Sequence, residues 1–271
     1  MVRQYYVDNI TDISERELLP LCRTIVPPTC LLGGWAVHFH VNDGFQQVYG
    51  REYIGSRDVD FGFHVDPGWS TKELLESPIG RSIRQVTDAG YDPLSFRFVR
   101  YFDQESGEPL TDAESRGLPS HRVFNLYLDM ISDTPDFGTF REALGFTPPA
   151  DPILNAVFSE GAGDSLRKFR NWDIPESVLI ADPDLLACMK IRSIPDRDRE
   201  QKRVKDVADL HSLLWYTREY SEMRNEVRSR LSENDIDQMS RHVDLGLYRQ
   251  AANLLQIESE LVQDTIEQLI Q

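Results

Sequence analysis

The spacing of hydrophobic residues predicts a chain that mixes helices and strands before it becomes purely helical. Leucines at helical spacing predict a helix over residues 13–23. The apolar run at residues 29–32 ends abruptly in a double glycine, and residues 35–41 are expected to form a helix that leaves it. Alternating polar and apolar residues predict a strand over residues 57–65.

Local signals continue through the middle of the chain. A capping box that begins at Ser70 predicts a helix reaching about residue 89. Alternating polar and apolar residues predict a strand over residues 95–102, and frequent β-branched and aromatic residues predict another over residues 122–131. Glycines and prolines in residues 103–120 predict a hairpin-like loop between these two strands.

A helical period dominates the last third of the sequence. Residues 134–174 fit neither a helix nor a strand clearly, whereas the pattern is almost wholly helical from Asp182 onward, with Pro183 in a first turn. We therefore predict an α+β fold. A small mixed or antiparallel sheet with flanking helices would occupy residues 1–175, and a C-terminal helical bundle would occupy residues 176–271.

Composition indicates the kind of protein to expect and its cellular location. Hydrophobic residues make up 40% of the 271 positions, which is typical of a packed globular protein. Cys22, Cys30 and Cys188 form no CxxC pair, so we expect small buried residues and not a disulfide or zinc framework. No apolar run approaches the roughly 20 residues that span a bilayer, and the N-terminus lacks an apolar secretion segment. We expect a soluble, cytoplasmic protein with no membrane partner.

The charge is unevenly distributed along the chain. A formal net charge of −16 would repel a nucleic acid backbone if it were spread evenly, which counts against a protein that coats DNA or RNA. Residues 190–205 nevertheless hold seven basic and three acidic residues, a local net charge of +4. This stretch is either a groove for an RNA backbone or a triphosphate, or a solvated helical face of alternating ion pairs.

Two carboxylates on the strand predicted over residues 57–65 are the first candidates for chemistry. Alternate residues of a strand point to one side, so Asp58 and Asp60 would lie roughly 6.6 Å apart along one face. Such a pair is repulsive unless a cation neutralises it, and hard carboxylate oxygens suit Mg²⁺. An ordinary strand edge with acidic residues facing solvent is the alternative.

The double glycine, Gly33 and Gly34, is the second candidate. Glycine at a strand end lets a backbone approach phosphate closely, and the free N–H groups of a starting helix bind anions. A plain tight turn is the alternative explanation. A strand, a double glycine, a helix and then a strand with two spaced aspartates form a rarer combination than either part alone.

With these motifs the chain resembles the nucleotidyltransferase superfamily that includes DNA polymerase beta, in particular its AbiEii/AbiGii-type toxin branch, whose members are often paired with an antitoxin. The resemblance is carried by four segments: LGG at residues 32–34, SRDVDF at 56–61, DLLACMK at 184–190 and RVKDVADL at 203–210. The sequence departs from the family pattern in the 23 residues between Gly34 and Asp58, where residues 42–55 are expected to form an extra loop.

The resemblance implies an enzyme that transfers a nucleoside monophosphate (NMP) from an NTP to an acceptor and releases pyrophosphate. Asp58 and Asp60 would hold one or two Mg²⁺ ions. Asp129, on the strand predicted over residues 122–131, would be a third metal ligand and the base for the attacking hydroxyl. Asp133 is the competing candidate for that third carboxylate, and a solvent-exposed strand end is the plain interpretation of Asp129.

The remaining predicted site residues would bind substrate. Phosphate binding is assigned to Gly33, Gly34, Ser56 and Arg57. Lys190 would contact the triphosphate and steady the leaving group, although a lysine on such a helix can also snorkel to water. Asp209 would face the active site and position Lys190; an ion pair of Asp206 or Asp209 with a nearby basic residue is the alternative.

The resemblance also indicates the partners of such an enzyme. In related toxins the acceptor is commonly a tRNA 3′ end, so RNA is the first candidate acceptor here, and a cognate antitoxin is a predicted partner. A protein hydroxyl modified by NMP transfer is the second candidate acceptor. A module that kept the fold and binds nucleotide without turnover is the alternative outside the enzyme class.

Overall fold

The computed structural model describes residues 2–135 and 137–271, and within these ranges the chain forms eight strands and thirteen α-helices. The strands are β1 (Thr29–Leu32), β2 (Val59–Phe63), β3 (Asp92–Leu94), β4 (Arg97–Asp103), β5 (Pro109–Leu110), β6 (Val123–Ser132), β7 (Gly163–Ser165) and β8 (Val178–Ala181). The α-helices are α1 (Asp8–Thr24), α2 (Gly33–Tyr49), α3 (Thr71–Glu76), α4 (Pro78–Asp88), α5 (Asp112–Gly117), α6 (Phe137–Leu144), α7 (Asn155–Ser159), α8 (Pro183–Ser193), α9 (Glu200–Tyr216), α10 (Tyr220–Arg230), α11 (Glu233–Ser240), α12 (Leu245–Leu255) and α13 (Ser259–Ile270). Short 3-10 helices occupy Val2–Tyr5, Ser120–Arg122, Pro152–Leu154 and Leu166–Lys168.

The chain divides into two compact units. The sheet unit comprises residues 8–35 and 55–181, and the helical unit comprises residues up to 7 together with 36–54 and 182–271. The predicted division into residues 1–175 and 176–271 stays a prediction about folding domains. The boundaries of the compact units differ from this division. One boundary falls within α2, and residues 176–181, which include β8, belong to the sheet unit.

All eight strands of the sheet unit belong to one mixed sheet, in the order β3-β4-β6-β2-β1-β8-β7, with β5 paired to β4. Strand β2 runs antiparallel to β1 and parallel to β6, while β1 runs parallel to β8. Strand β1 lies between β2 and β8, and all four of its residues are buried. A strand that is covered on both faces of its sheet is usually apolar almost throughout, as β1 is. The predicted α+β class with a mixed sheet and flanking helices is confirmed.

Local sequence signals place most elements of the sheet unit correctly. The predicted opening helix, the strand before the double glycine and the strand over residues 122–131 are confirmed as α1, β1 and β6. The single helix predicted from Ser70 to about residue 89 is wrong, because Ser77 caps a new helix whose first residue is Pro78. The loop predicted over residues 103–120 contains β5 and α5.

The helical unit is built around α9. Every residue from 204 to 214 is buried, including three charged ones, Lys205, Asp206 and Asp209. The predicted helical character from Asp182 onward is confirmed. The extra loop predicted over residues 42–55 is largely wrong, because α2 continues to Tyr49. Gly44 lies where a Cβ would come within 2.5 Å of the Tyr216 carbonyl oxygen, so this turn of α2 packs closely against the end of α9.

The fold also shows the surroundings of the cysteines and the apolar character of the helices. The three cysteines are buried and form no disulfide with one another. Within the described ranges no helix is both long and apolar enough to cross a membrane.

Candidate functional site

The double glycine opens α2 directly after the end of β1, and the packing around this β1–α2 turn requires glycine at both positions. Gly33 has φ +64°, a conformation that costs a residue with a Cβ extra energy. A Cβ at Gly33 would lie 1.9 Å from Oδ2 of Asp60, and one at Gly34 would lie 2.7 Å from Oγ of Ser56. The sheet unit therefore brings four of the predicted residues into direct proximity: the two glycines, Ser56 and Asp60.

The carboxylates of Asp60 and Asp129 belong to neighbouring strands in matching register. Asp60 of β2 is the direct partner of Asp129 of β6 in a parallel pair. Residues paired in this way project from the same face of the sheet, and adjacent strands lie about 5 Å apart. Asp60 is half-buried, and Asp129 is 8% exposed. The structure thus brings two of the three predicted carboxylates together.

Asp58 is placed differently from the prediction. It lies in the bend before β2, one residue outside the strand that begins at Val59, and it is half-buried. The alternation of side chains along a strand therefore does not determine its direction relative to Asp60, and the prediction of both aspartates on one strand is wrong. Its role as a metal ligand stays a prediction.

The competing third carboxylate, Asp133, is held by the fold itself. One of its oxygens accepts the backbone N–H of Val65 at 2.9 Å, and the other lies 2.6 Å from Nδ1 of His64. Asp133 follows the end of β6, and its backbone N–H donates to the carbonyl of Phe63. The Asp133 carboxylate thus helps to hold the ends of β2 and β6 together. Asp129, and not Asp133, is in register with Asp60, which makes Asp129 the better candidate for the third carboxylate.

Arg97 is a neighbour of Asp129 that sequence reasoning missed. Its Nε lies 3.1 Å from Oδ1 of Asp129, close enough for an ion pair but not aligned as a hydrogen bond. The guanidinium carbon lies 4.8 Å from the ring centre of Phe96 and 5.0 Å from that of Tyr127. Nothing local in the sequence indicates this contact, because it depends on the antiparallel pairing of β4 with β6.

The remaining predicted phosphate ligands have distinct surroundings. Ser56 is buried beside Gly34, so its hydroxyl lies at the start of α2, where the first backbone N–H groups of a helix have no partner within the helix itself. The guanidinium carbon of Arg57 lies 5.1 Å from the ring centre of the buried Phe124. Arg57 is therefore engaged with an aromatic ring, and its contact with phosphate stays a prediction.

The carboxylates of the sheet unit fit a cation in part. No group of three or more His, Cys, Asp or Glu side chains within residues 2–135 and 137–271 is arranged to hold a metal ion. Mg²⁺ commonly uses only one or two carboxylates and takes its other ligands from water and substrate phosphate. The register pair Asp60 and Asp129 offers such a donor set, although Arg97 already neutralises one member of it.

In the helical unit, Lys190 of α8 lies in a buried ionic cluster with α9. Its Nζ is 2.7 Å from Oδ1 of Asp206 and 2.7 Å from Oδ2 of Asp209. Burial favours the neutral form of Lys190, but the charges of the two aspartates outweigh it and raise its pKa above the ordinary range. The predicted contact between Lys190 and Asp209 is present, and contact of Lys190 with a triphosphate stays a prediction.

Further cations and a tyrosine complete this cluster. Arg197 Nε lies 2.5 Å from Asp206, while Lys205 and the Tyr53 hydroxyl both donate to Oδ1 of Asp209. Burial lowers the pKa of Lys205, and the attraction of Asp209 does not fully offset it. Burial together with the negative charge of Asp209 raises the pKa of Tyr53. The buried charges of α9 are thus satisfied within the helical unit.

Much of the basic stretch over residues 190–205 takes part in internal contacts. Lys190, Arg197 and Lys205 pair with the two buried aspartates of α9. Arg203 donates to the carbonyls of Ile194 and Arg197, just beyond the end of α8. Arg199 is exposed at the start of α9. The local charge of +4 therefore overstates what this stretch offers to a polyanion.

Comparison with known proteins adds no family to this description. No protein-family model, no curated protein and no solved structure matches the chain.

Proposed function

We propose that the chain is a Mg²⁺-dependent nucleotidyltransferase whose catalytic centre lies at the β1–α2 turn. One observation carries the proposal: the Gly33–Gly34 turn packs directly against Asp60 and Ser56, and Asp60 pairs in register with Asp129. The turn supplies phosphate-binding backbone N–H groups, and the paired strands supply two carboxylates beside it. The resemblance in the four sequence segments supports the same reaction.

Each residue of this centre would have a separate task. Backbone N–H groups after Gly33 and the Ser56 hydroxyl would bind phosphate oxygens of the NTP. Asp60 and Asp129 would hold the cation, which neutralises charge on the transferring phosphoryl group when bound. Asp129 would also accept the proton of the attacking hydroxyl. Oxygen of the acceptor then bonds to the α-phosphorus, and the bond to the pyrophosphate leaving group breaks.

The acceptor is proposed to be RNA, with a tRNA 3′ end as the first candidate and a cognate antitoxin as a partner. The exposed Arg199 and the neighbouring Lys202 are the part of the basic stretch best suited to a backbone phosphate. The internal pairing of Lys190, Arg197 and Lys205 reduces the support for RNA relative to a protein hydroxyl. Both acceptors therefore belong in the same experiment.

The test incubates the protein with each labelled NTP, Mg²⁺, total RNA and cell lysate, and identifies what becomes labelled. Asp60→Ala and Asp129→Asn are expected to abolish labelling. Asp103→Asn is the matched control, because Asp103 is also 8% exposed and paired with an arginine, Arg122, in the same sheet. It should cost stability and leave labelling intact.

The outcomes separate the candidate functions. Labelled RNA supports the proposed acceptor, and labelled protein with no labelled RNA supports NMP transfer to a protein hydroxyl. Specific NTP binding without any transfer would favour a non-catalytic nucleotide-binding module, for which the pairing of Arg97 with Asp129 is the supporting observation. Full activity of both Asp60→Ala and Asp129→Asn would refute the proposed centre.

A further inference from the structure

Arg97 is positioned as a cation beside the proposed metal ligands. Strand register places Asp60 and Asp129 side by side, and like charges directly opposite each other on neighbouring strands destabilise a sheet. The ion pair of Arg97 with Asp129 offsets that repulsion when the two carboxylates share no metal. The guanidinium thus supplies to Asp129 the positive charge that a bound cation would supply.

The ion pair of Arg97 with Asp129 is partly shielded from solvent, but its geometry is not that of a strong hydrogen-bonded pair. The Arg97 side chain is 21% exposed and that of Asp129 is 11% exposed, so solvent screens their attraction only partly. Nε and Oδ1 are close but not aligned for hydrogen bonding, which makes the pair weaker than a bidentate one. Phe96 and Tyr127 lie within 5.0 Å of the guanidinium carbon and hold it beside the site.

We infer that Arg97 competes with the divalent cation for Asp129 and so sets the metal concentration at which the site fills. This inference rests on the proposed metal-dependent function and adds a regulating residue to it. Arg97 acts through Asp129 and is therefore a positioning residue. Since a metal ion and the guanidinium compete for the negative charge of Asp129, removing the guanidinium should strengthen metal binding.

Arg100 provides a matched control on the same strand. It also pairs with a carboxylate, Glu17 at 2.9 Å, its side chain is 25% exposed, and it lies 5.5 Å from the ring centre of Tyr91. Arg100 is three residues from Arg97 along β4, so the two side chains project from opposite faces of the sheet. Arg100→Met removes a comparable ion pair without touching Asp129.

The experiment measures Mn²⁺ binding by calorimetry and electron paramagnetic resonance, and thermal stability with and without Mg²⁺. Arg97→Met is expected to bind Mn²⁺ at least about tenfold more tightly than the original protein, a change of about 1.4 kcal/mol. Arg97→Met should be less stable than the original protein without metal, and Mg²⁺ should close that gap. Arg100→Met should also lose stability, but Mg²⁺ should not restore it.

Two more variants secure the conclusion. Arg97→Lys keeps the charge without the planar guanidinium and should bind Mn²⁺ with intermediate affinity. Arg97→Met combined with Asp129→Asn should lose the tighter binding. Equal Mn²⁺ affinity of the original protein and Arg97→Met would overturn the inference and leave the proposed function standing. If neither bound Mn²⁺ at millimolar concentration, the inference would fail together with the metal site on which the proposed function rests.

Discussion

The replacement Gly33→Ala tests whether the β1–α2 turn exists to seat the Asp60 carboxylate. The new Cβ would lie 1.9 Å from Oδ2, whereas real Cβ contacts essentially never fall below 3.0 Å, so the carboxylate and the backbone of residue 33 must separate by at least 1.1 Å (3.0 minus 1.9). A displacement of about 1 Å in a catalytic group can reduce the rate about 100-fold. We expect NMP transfer to fall by at least that factor.

The stability cost of Gly33→Ala has two parts that a control can separate. The left-handed backbone costs a non-glycine residue about 1–2 kcal/mol, and overpacking adds about 1–3 kcal/mol. Gly50, which directly follows the last residue of α2, also has a left-handed backbone, with φ +66°. A Cβ at Gly50 would meet no described atom within 4 Å, so Gly50→Ala has the backbone cost without the overpacking cost. Urea unfolding of both variants gives the difference.

If the β1–α2 turn holds Asp60 in place, Gly33→Ala should have a lower free energy of unfolding than Gly50→Ala. Gly33→Ala should also lose NMP transfer, whereas Gly50→Ala should keep it. If the two variants had equal free energies of unfolding and both retained full transfer rates, Asp60 would not be held by this turn in the way that the catalytic proposal requires.

Three further predictions concern the helical unit. Lys190→Met removes one cation from two buried aspartates that keep Arg197 and Lys205, and it should cost about 1.5–3 kcal/mol in urea unfolding; lost transfer at unchanged stability would instead indicate a phosphate ligand. Burial lowers the pKa of His211 from 6.5 to about 4, so the folded state resists protonation and stability should fall by about 3 kcal/mol as pH drops from 6.5 to 4. His211→Gln should flatten that decline in calorimetry, and an unchanged slope would contradict the assignment. Converting Arg199 and Lys202 to Gln should flatten the salt dependence of RNA binding by up to about two units, and an unaltered slope would argue against RNA on this surface.

Periodicity was sufficient where neighbours along the chain decide the structure. The helix around residues 13–23, the strand before Gly33 and the long strand that holds Asp129 follow from patterns within one segment. The break at Pro78 was also readable locally, because serine followed by proline is a usual helix start. The extent of α2 was not readable locally, because residues 42–55 were expected to form a loop, whereas the close packing of Gly44 against Tyr216 favours a helix.

The candidate site divides along the same line. The sequence by itself determined which residues are candidates for chemistry: the double glycine, the spaced aspartates and Lys190. Only the tertiary structure decided which of them meet. Strand register pairs Asp60 with Asp129 and not with Asp133, and it brings Arg97 to that pair. The packing of α8 on α9 places part of the basic stretch over residues 190–205 in a buried ionic cluster. The physical reason is that these contacts join residues far apart in the chain, so their geometry depends on sheet order and helix packing, which no local pattern encodes.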